Sequence, residues 1–476
     1  MDSVMWFRRD LRLEDNKALS KAFEHSDSLL LVFHVNPKQF IEGSSKNESA
    51  FFQTVKNFEK ELEAAGAKLH ILYGDLKTCF KELKEAYPDW KNIYLNYDET
   101  GYGLKRDKLI APLFKELEIE VNAYHDHYLH SAQEIKTNAG TAYKVYTPYY
   151  NKWIERVKPS PIEVSFDIEV LAQVNEFNKG SEQFNQYFEK LEKVESLRIG
   201  SKAAKEDLMH FIETHLKDYH ENRDFPFIDG TSRLSHHLRT GTLSIRTVYE
   251  ELMKVEESKG KTVFIQELAW RDFYNMVYVS NPKQKEQAIK EKFSEIAWRN
   301  DEEEFKAWKE GKTGYPIVDA AMRQIKETGW MHNRLRMIVA SFLTKDLLVD
   351  WRWGEKYFQE ELIDYDAASN IGGWQWAAST GTDAVPYFRI FNPTTQSERF
   401  DKEANFIKKF LPELSEIPAD KIHDPGALTP EEQDQYNVIL GQDYPFPIVS
   451  HKERRKKAIA IYEESKDLYQ ELNDNK

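Results

Sequence analysis

Short apolar runs alternate with longer amphipathic stretches over the first 125 residues. The runs occupy 4–7, 29–35, 68–73, 92–97 and 121–124; the amphipathic stretches fall at 16–24, 48–65, 76–86 and 104–117. Such runs read as strands buried on both faces. Their alternation with helices predicts α/β architecture, a doubly wound parallel sheet of Rossmann-like type. Ligands of these sheets sit beyond the carboxyl ends of the strands. Those ends carry Arg8-Arg9-Asp10, Asn36-Pro37, Gly74-Asp75 and Tyr97-Asp98. No glycine fingerprint comes after the first run, so a standard dinucleotide site is not expected.

The pattern then changes. Residues 126–200 are less regular, with Pro148, Pro159 and Pro161, and read as a long connecting segment over the surface. From about 201 the period is helical: Leu208, Phe211, Ile212, His215, Leu216 and Tyr219 fall on one face. Further helices are predicted over 244–256, 264–279, 316–327 and 332–348, with Pro316 in a first turn and Gly329 at a C-terminal cap. The chain thus divides into an α/β domain at 1–130, a linker at 131–200 and an all-α domain at 201–476.

Composition narrows the classes. No apolar run approaches the roughly 18 residues of a membrane span, and the first residues read as a strand rather than a secretory leader. The only cysteine, Cys79, excludes an internal disulfide framework and thiolate zinc clusters and fits a reducing, cytoplasmic setting. A net charge of −14 argues against a nucleic-acid partner, although phosphate binding needs only a local basic face. The unusual feature is aromatic content: eight of the 11 tryptophans lie between Trp270 and Trp376. Such a segment calls for a packed core or a flat ligand.

Two familiar signals fail. Gly311-Lys312-Thr313 lacks the first glycine of a phosphate loop, because Lys306 stands in its place. His210 with His215, and His236 with His237, have the wrong spacing for zinc, so no metal site is expected. Thr231, Ser232, Arg233, Leu234 and Ser235 precede a predicted helix and suit either an anion or an ordinary capped start.

The densest constellation spans residues 364–376: Asp364, Asp366, Asn370, Gly372, Gly373, Trp374 and Trp376. Acceptors, an amide, close backbone approach and stacking surfaces together suit a polar heteroaromatic ring such as a flavin or a base. A glycine-rich turn packed on core tryptophans would explain the Gly and Trp residues, but not both aspartates and the asparagine. Nearby Arg334, Arg336 and Arg389 are interleaved with aromatic residues, a combination that holds phosphodiesters and unstacked bases.

These motifs resemble the photolyases and cryptochromes, most strongly the class I cyclobutane pyrimidine dimer photolyases. The resemblance runs from Trp6-Phe7-Arg8-Arg9-Asp10-Leu11-Arg12 to Asn392-Pro393. Its most specific stretches are Gly329-Trp330-Met331-His332-Asn333-Arg334-Leu335-Arg336-Met337 and the run from Gly372-Gly373-Trp374-Gln375-Trp376 to Asp383. It implies an N-terminal antenna domain and a helical domain holding FAD. Tyr219, Thr231, Ser232, Arg233, Leu234 and Ser235 then match flavin-phosphate contacts. Asn333, Arg336, Asp364, Asp366 and Asn370 match flavin contacts, with Asp364 paired to Arg336 and Asn370 facing flavin N5.

The implied reaction is redox-neutral and driven by light: reduced FAD lends an electron to a dimer flipped out of DNA, the bonds joining the two bases break, and the electron returns. Glu267 and Trp270 match the dimer pocket, Trp376 a second apolar wall, and Met337 the dimer-type members. Glu267 is expected to hydrogen-bond the thymine edge as a protonated, partly buried carboxyl. Trp298, Trp351 and Trp374 match an electron-hopping triad, and Arg223, Arg334 and Arg389 match positions that grip phosphates. The antenna departs from the pattern: Gly101 and Tyr102 replace the Asn-Glu pair of folate-binding members, while Tyr102 to Asp107 is closer to deazaflavin-binding ones. Deazaflavin, a second flavin, folate or no antenna therefore stay open. The resemblance also implies a DNA partner, no obligatory protein partner, no membrane association and a monomer. A signalling cryptochrome is the alternative; Asn370, Glu267, Trp270 and Met337 favour repair.

Overall fold

The computed structural model describes residues 1–40, 45–172, 174, 180–195 and 197–474. Five parallel strands form one sheet in the order β3-β2-β1-β4-β5. They are β1 (Ser3–Phe7), β2 (Leu29–Val35), β3 (His70–Tyr73), β4 (Asn92–Asn96) and β5 (Glu120–Tyr124). Ser3 sits opposite Leu29 on one side and Asn92 on the other.

Strand alternation sorts the apolar residues into two cores. Met5, Phe7, Leu31 and Phe33 face α1 (Lys17–His25) and α2 (Lys46–Ala64). Val4, Trp6, Leu30 and Val32 face α3 (Leu76–Ala86) and α4 (Gly101–Glu116). Burial on both faces is why the runs are continuous rather than alternating. Some polar residues at the strand ends serve the fold itself: Asp75 caps α3 by accepting the N–H groups of Lys77 and Thr78 at 3.1 and 3.2 Å.

Residues 126–200 do not merely cross the surface. Helix α5 (Tyr146–Glu155) buries Tyr146, Tyr149 and Trp153, and α6 (Gly180–Phe188) sets Phe184 against Phe52. The indole N–H of Trp153 donates to Asp272 at 2.9 Å, tying α5 into the helical half. Prolines and asparagines between these helices obscured them in the sequence.

The helical half begins with α7 (Gly200–Thr214), α8 (Tyr219–Asn222), α9 (Ser235–Thr240), α10 (Ile245–Met253) and α11 (Lys259–Ser280). It continues with α12 (Glu302–Glu310), α13 (Pro316–Thr328), α14 (Asn333–Ser341), α15 (Trp351–Glu361) and α16 (Ala367–Ala377). Helices α17 (Pro393–Phe400), α18 (Asn405–Phe410), α19 (Pro430–Gln435) and α20 (His451–Asp474) close the chain.

Two readings need correction, and one alternative falls away. The helical face expected to run through Tyr219 breaks at His215, the cap of α7, and Tyr219 opens α8. The helix expected over 332–348 ends at Ser341 and passes into a wider π turn at Phe342–Asp346. Gly372 and Gly373 lie inside α16, not in a turn. Pro316 does begin α13, and Gly329 closes it at φ 68°. Among the described residues no helix is long and apolar enough to cross a membrane.

Candidate active site

Helices α11 and α16 approach closely because Gly372 has no side chain: a Cβ there would lie 2.2 Å from Cδ1 of Tyr274. Glu267 and Trp270 ride on α11; Asn370, Trp374 and Trp376 ride on α16. Trp270 packs on Phe273 and Tyr274 of its own helix, each at 5.5 Å, and Tyr146 of α5 stacks on it at 3.6 Å and 5°. Tyr146 was missed by the sequence reading, which left it in the linker.

On the α16 side the Arg336–Asp364 pair is present at 2.8 Å. Burial opposes the charge of Asp364, but Arg336 beside it holds the carboxyl below its usual range. Among the described residues its Oδ1 is enclosed without a hydrogen bond of good geometry, although the Ser235 hydroxyl is near the carboxyl. Asp366 caps α16 by accepting the Ser369 N–H at 3.0 Å, and its other oxygen faces Arg9 Nη1 at 3.4 Å. Asn370 donates weakly to Glu355, at 3.4 Å to the carbonyl and 3.3 Å to Oε1. Gly373 opens onto free space, since a Cβ there would meet nothing within 4 Å. An acceptor without a well-formed hydrogen bond, a loosely held carboxamide and an open glycine face fit a flat ligand that carries both acceptors and an N–H donor, as the flavin of FAD does.

The Thr231–Ser235 loop departs from an ordinary capped start, because α9 has no side-chain cap hydrogen bond. Arg233 adopts φ 54° and lays its guanidinium over Trp330 at 3.6 Å. Thr231 and Ser232 are half-buried, Leu234 is buried and Ser235 is exposed, and Ser235 lies close enough to Asp364 to favour its charge. Tyr219 is buried against Phe211 and Phe264, with Arg223 over its ring at 5.5 Å. Asn333 is exposed at the start of α14.

On the α11 side Arg223 pairs with Glu267 at 2.5 Å. Burial pushes the Glu267 carboxyl up against the opposing pull of Arg223. Arg334 pairs with Asp224 at 2.9 Å and lies over Phe400 at 4.4 Å, whereas Arg389 is exposed. Met337 and Trp376 are half-buried. Trp351 and Trp374 are buried in one apolar core, with Trp298 half-buried at its edge beside Tyr462 at 6.2 Å. Trp374 is seated so tightly that a Cβ at Gly354 would lie 2.1 Å from its ring.

At the sheet end, Arg8 pairs with Asp107, while Arg9 and Arg106 meet Asp98 at 2.5 and 3.1 Å. Arg8 and Arg106 also flank Trp6, at 5.1 and 5.0 Å from its ring. Among the described residues no three potential ligands are grouped for a metal. Arg9, visible in the sequence only as part of the Arg8-Arg9-Asp10 strand end, reaches Asp366 from the far end of the chain, while Glu355, like Tyr146, left no local signal.

Comparison with known proteins finds relatives over nearly the whole chain. Residues 3–167 match the family described as DNA photolyase, and residues 264–464 match the FAD binding domain of DNA photolyase. A deoxyribodipyrimidine photo-lyase of Alkalihalophilus pseudofirmus is 44% identical over 467 residues, covering 96% of this chain and 97% of that protein. A bacterial class III photolyase from Agrobacterium tumefaciens superposes with a TM-score of 0.91 at 34% identity, covering 98% of each chain. An archaeal photolyase from Sulfolobus tokodaii with two FAD molecules gives 0.82 at 35% identity, covering 98% of this chain and 100% of that one.

Proposed function

Because the chain belongs to the DNA photolyase family, we propose that it is a deoxyribodipyrimidine photo-lyase, splitting cyclobutane pyrimidine dimers in DNA with light. One observation supports the reading: α16, which carries Asn370, packs closely on α11, which carries Glu267 and Trp270, where Gly372 meets Tyr274. The finer class I assignment rests on motifs alone, and a class III enzyme is among the structural neighbours. The proposal is therefore framed at the level of dimer repair.

Arg336, Asp364, Asp366, Asn333 and Asn370 would hold the flavin, with Tyr219 and residues 231–235 toward its phosphates. Reduced FAD supplies the electron that opens the dimer under blue light. The remaining tasks fall to side chains. Asp364, kept charged by Arg336, accepts hydrogen bonds at its Oδ1 and so orients one edge of the ligand. Trp270, braced by Tyr146, offers a flat face to unstacked bases, and Trp376 and Met337 keep water from them. Burial pushes the Glu267 carboxyl up against the pull of Arg223, and in its protonated form it would donate a hydrogen bond to a thymine carbonyl where negative charge develops. Arg223, Arg334 and Arg389 grip the phosphates flanking the lesion, and Trp298, Trp351 and Trp374 form the path by which the flavin is reduced.

We propose the domain division expected from the sequence, with α5 of the linker serving the helical half. The antenna stays open among deazaflavin, a second flavin, folate or none. A cytoplasmic monomer needing no protein partner completes the proposal.

The test is an absorption spectrum followed by blue illumination with a thymine-dimer oligonucleotide under reducing conditions. FAD bands and loss of dimer support the enzyme. Flavin photoreduction without repair by fully reduced protein would replace it with a photoreceptor.

A further inference from the structure

We propose that Arg9, just beyond β1, is a positioning residue for the flavin site, through which the sheet half fixes the start of α16. The inference rests on the flavin reading above and deepens it.

Arg9 is held by its backbone first. A Cβ at Gly241 would lie 2.0 Å from the Arg9 carbonyl oxygen, so the turn after α9 closes directly on this stretch. Leu11 N–H donates to the Thr240 carbonyl at 3.3 Å, and Arg12 Nη1 donates to the Gly241 carbonyl at 3.1 Å. The strand end is thereby clamped to the helical half.

The side chain then spans two carboxylates from opposite halves. Nη2 and Nε meet Asp98 Oδ1 at 2.5 and 3.1 Å, while Nη1 faces Asp366 Oδ2 at 3.4 Å. A planar guanidinium can reach both at once in a fixed fork, which a lysine ammonium cannot. Asp366 in turn caps α16 through Ser369. Burial opposes the charge of Asp366, but Arg9, and then Arg271, hold its carboxyl below the usual range. A charged cap favours a helix start twice over, by hydrogen bond and by dipole.

The groups assigned to the chemistry stand on this same helix. Asn370 lies one turn after the cap, with Trp374 and Trp376 further along α16. Arg9 therefore acts through Asp366 on both the orientation of Asn370 and the field at the flavin. The sheet half has a part in the reaction even where it collects no light.

The experiment uses full-length protein carrying FAD. Arg9→Ala and Arg9→Lys are compared with the unmodified chain for FAD dissociation, by recovery of free-flavin fluorescence, and for air reoxidation of the reduced flavin. Arg9→Ala is expected to weaken FAD retention about fivefold, the scale of one partly exposed ion pair, and to speed reoxidation. Arg9→Lys is expected between Arg9→Ala and the unmodified chain in both, with the unfolding midpoint of FAD-free protein unchanged. Should Arg9→Ala fail to fold, Arg9→Gln takes its place as the uncharged variant against Arg9→Lys. Equal retention and equal reoxidation in the charged and uncharged variants would overturn the proposal, as would losses that track a lowered unfolding midpoint. An unmodified chain without FAD bands would sink the flavin reading itself, a result separate from flavin that binds and ignores Arg9.

Discussion

Trp90 in the sheet half and Trp374 in the helical half are both buried indoles, yet they treat their N–H groups differently. Trp90 Nε1 donates to the Asn92 carbonyl at 2.7 Å. Trp153 and Trp308 behave alike, donating to Asp272 at 2.9 Å and to the Val339 carbonyl at 3.1 Å. Trp374 Nε1 is enclosed with no partner among the described residues. An unpaired buried donor costs about 1–3 kcal/mol. A tryptophan serving only as packing has no reason to bear that cost, since phenylalanine would fill most of the space without it. Asp364 Oδ1, in the same helical half, likewise has no well-formed hydrogen bond among the described residues. Trp90, Trp153 and Trp308 satisfy their N–H groups; Trp374, one of the three tryptophans assigned to electron transfer, does not.

The largest expected effect tests that contrast directly. Trp374→Phe should reduce light-driven flavin reduction to background while chemically reduced protein still repairs; Trp90→Phe should photoreduce normally. Transient absorption after blue excitation reads both variants. Photoreduction at the unmodified rate in Trp374→Phe would remove the contrast.

Next in size is the Asp364 oxygen. Asp364→Asn removes the charge that Arg336 supports and breaks a buried pair, so FAD retention should fall on the order of tenfold or more. Fluorescence titration with FAD measures it, and unchanged affinity would mean that Asp364 serves the fold alone.

A smaller effect concerns pH. Glu267 is pushed up by burial, so its neutral, donating form persists above the usual carboxyl range and is lost as pH rises through the raised pKa. Repair yield of reduced protein should fall a few-fold across that rise. Glu267→Gln, which keeps a donor at every pH, should give a flat profile. The same decline in Glu267→Gln would assign the titration to another group.

The same two regions also differ in what the sequence disclosed. The sheet half was legible because burial on both faces makes each strand a continuous run, although Asp75, read at a strand end, proves to be the cap of α3. In the helical half, apolar spacing persists across His215 and across the π turn after Ser341, so periodicity alone joined elements that the backbone separates. The 364–376 cluster was visible because it is local. Arg9, Tyr146 and Glu355 reach the site only through the fold, and no spacing rule could have gathered them. The roles of Trp298 and Trp351 came from family resemblance, because a buried tryptophan looks the same in sequence whether it packs or conducts.

The smallest expected effect is on stability, and it separates the two indoles by energy alone. Trp90→Phe and Trp374→Phe each remove a similar volume from a packed core, so the cavity cost is shared. Trp90→Phe additionally removes the hydrogen bond from the indole N–H to the Asn92 carbonyl. Trp374→Phe strands nothing and removes a donor that was already unpaired. Trp90→Phe should therefore be the more destabilising by about 1 kcal/mol, read from urea midpoints of FAD-free protein at a common slope. Equal losses would mean that the Trp374 N–H finds a partner in solution, and its orphaned state would no longer distinguish it from the framework.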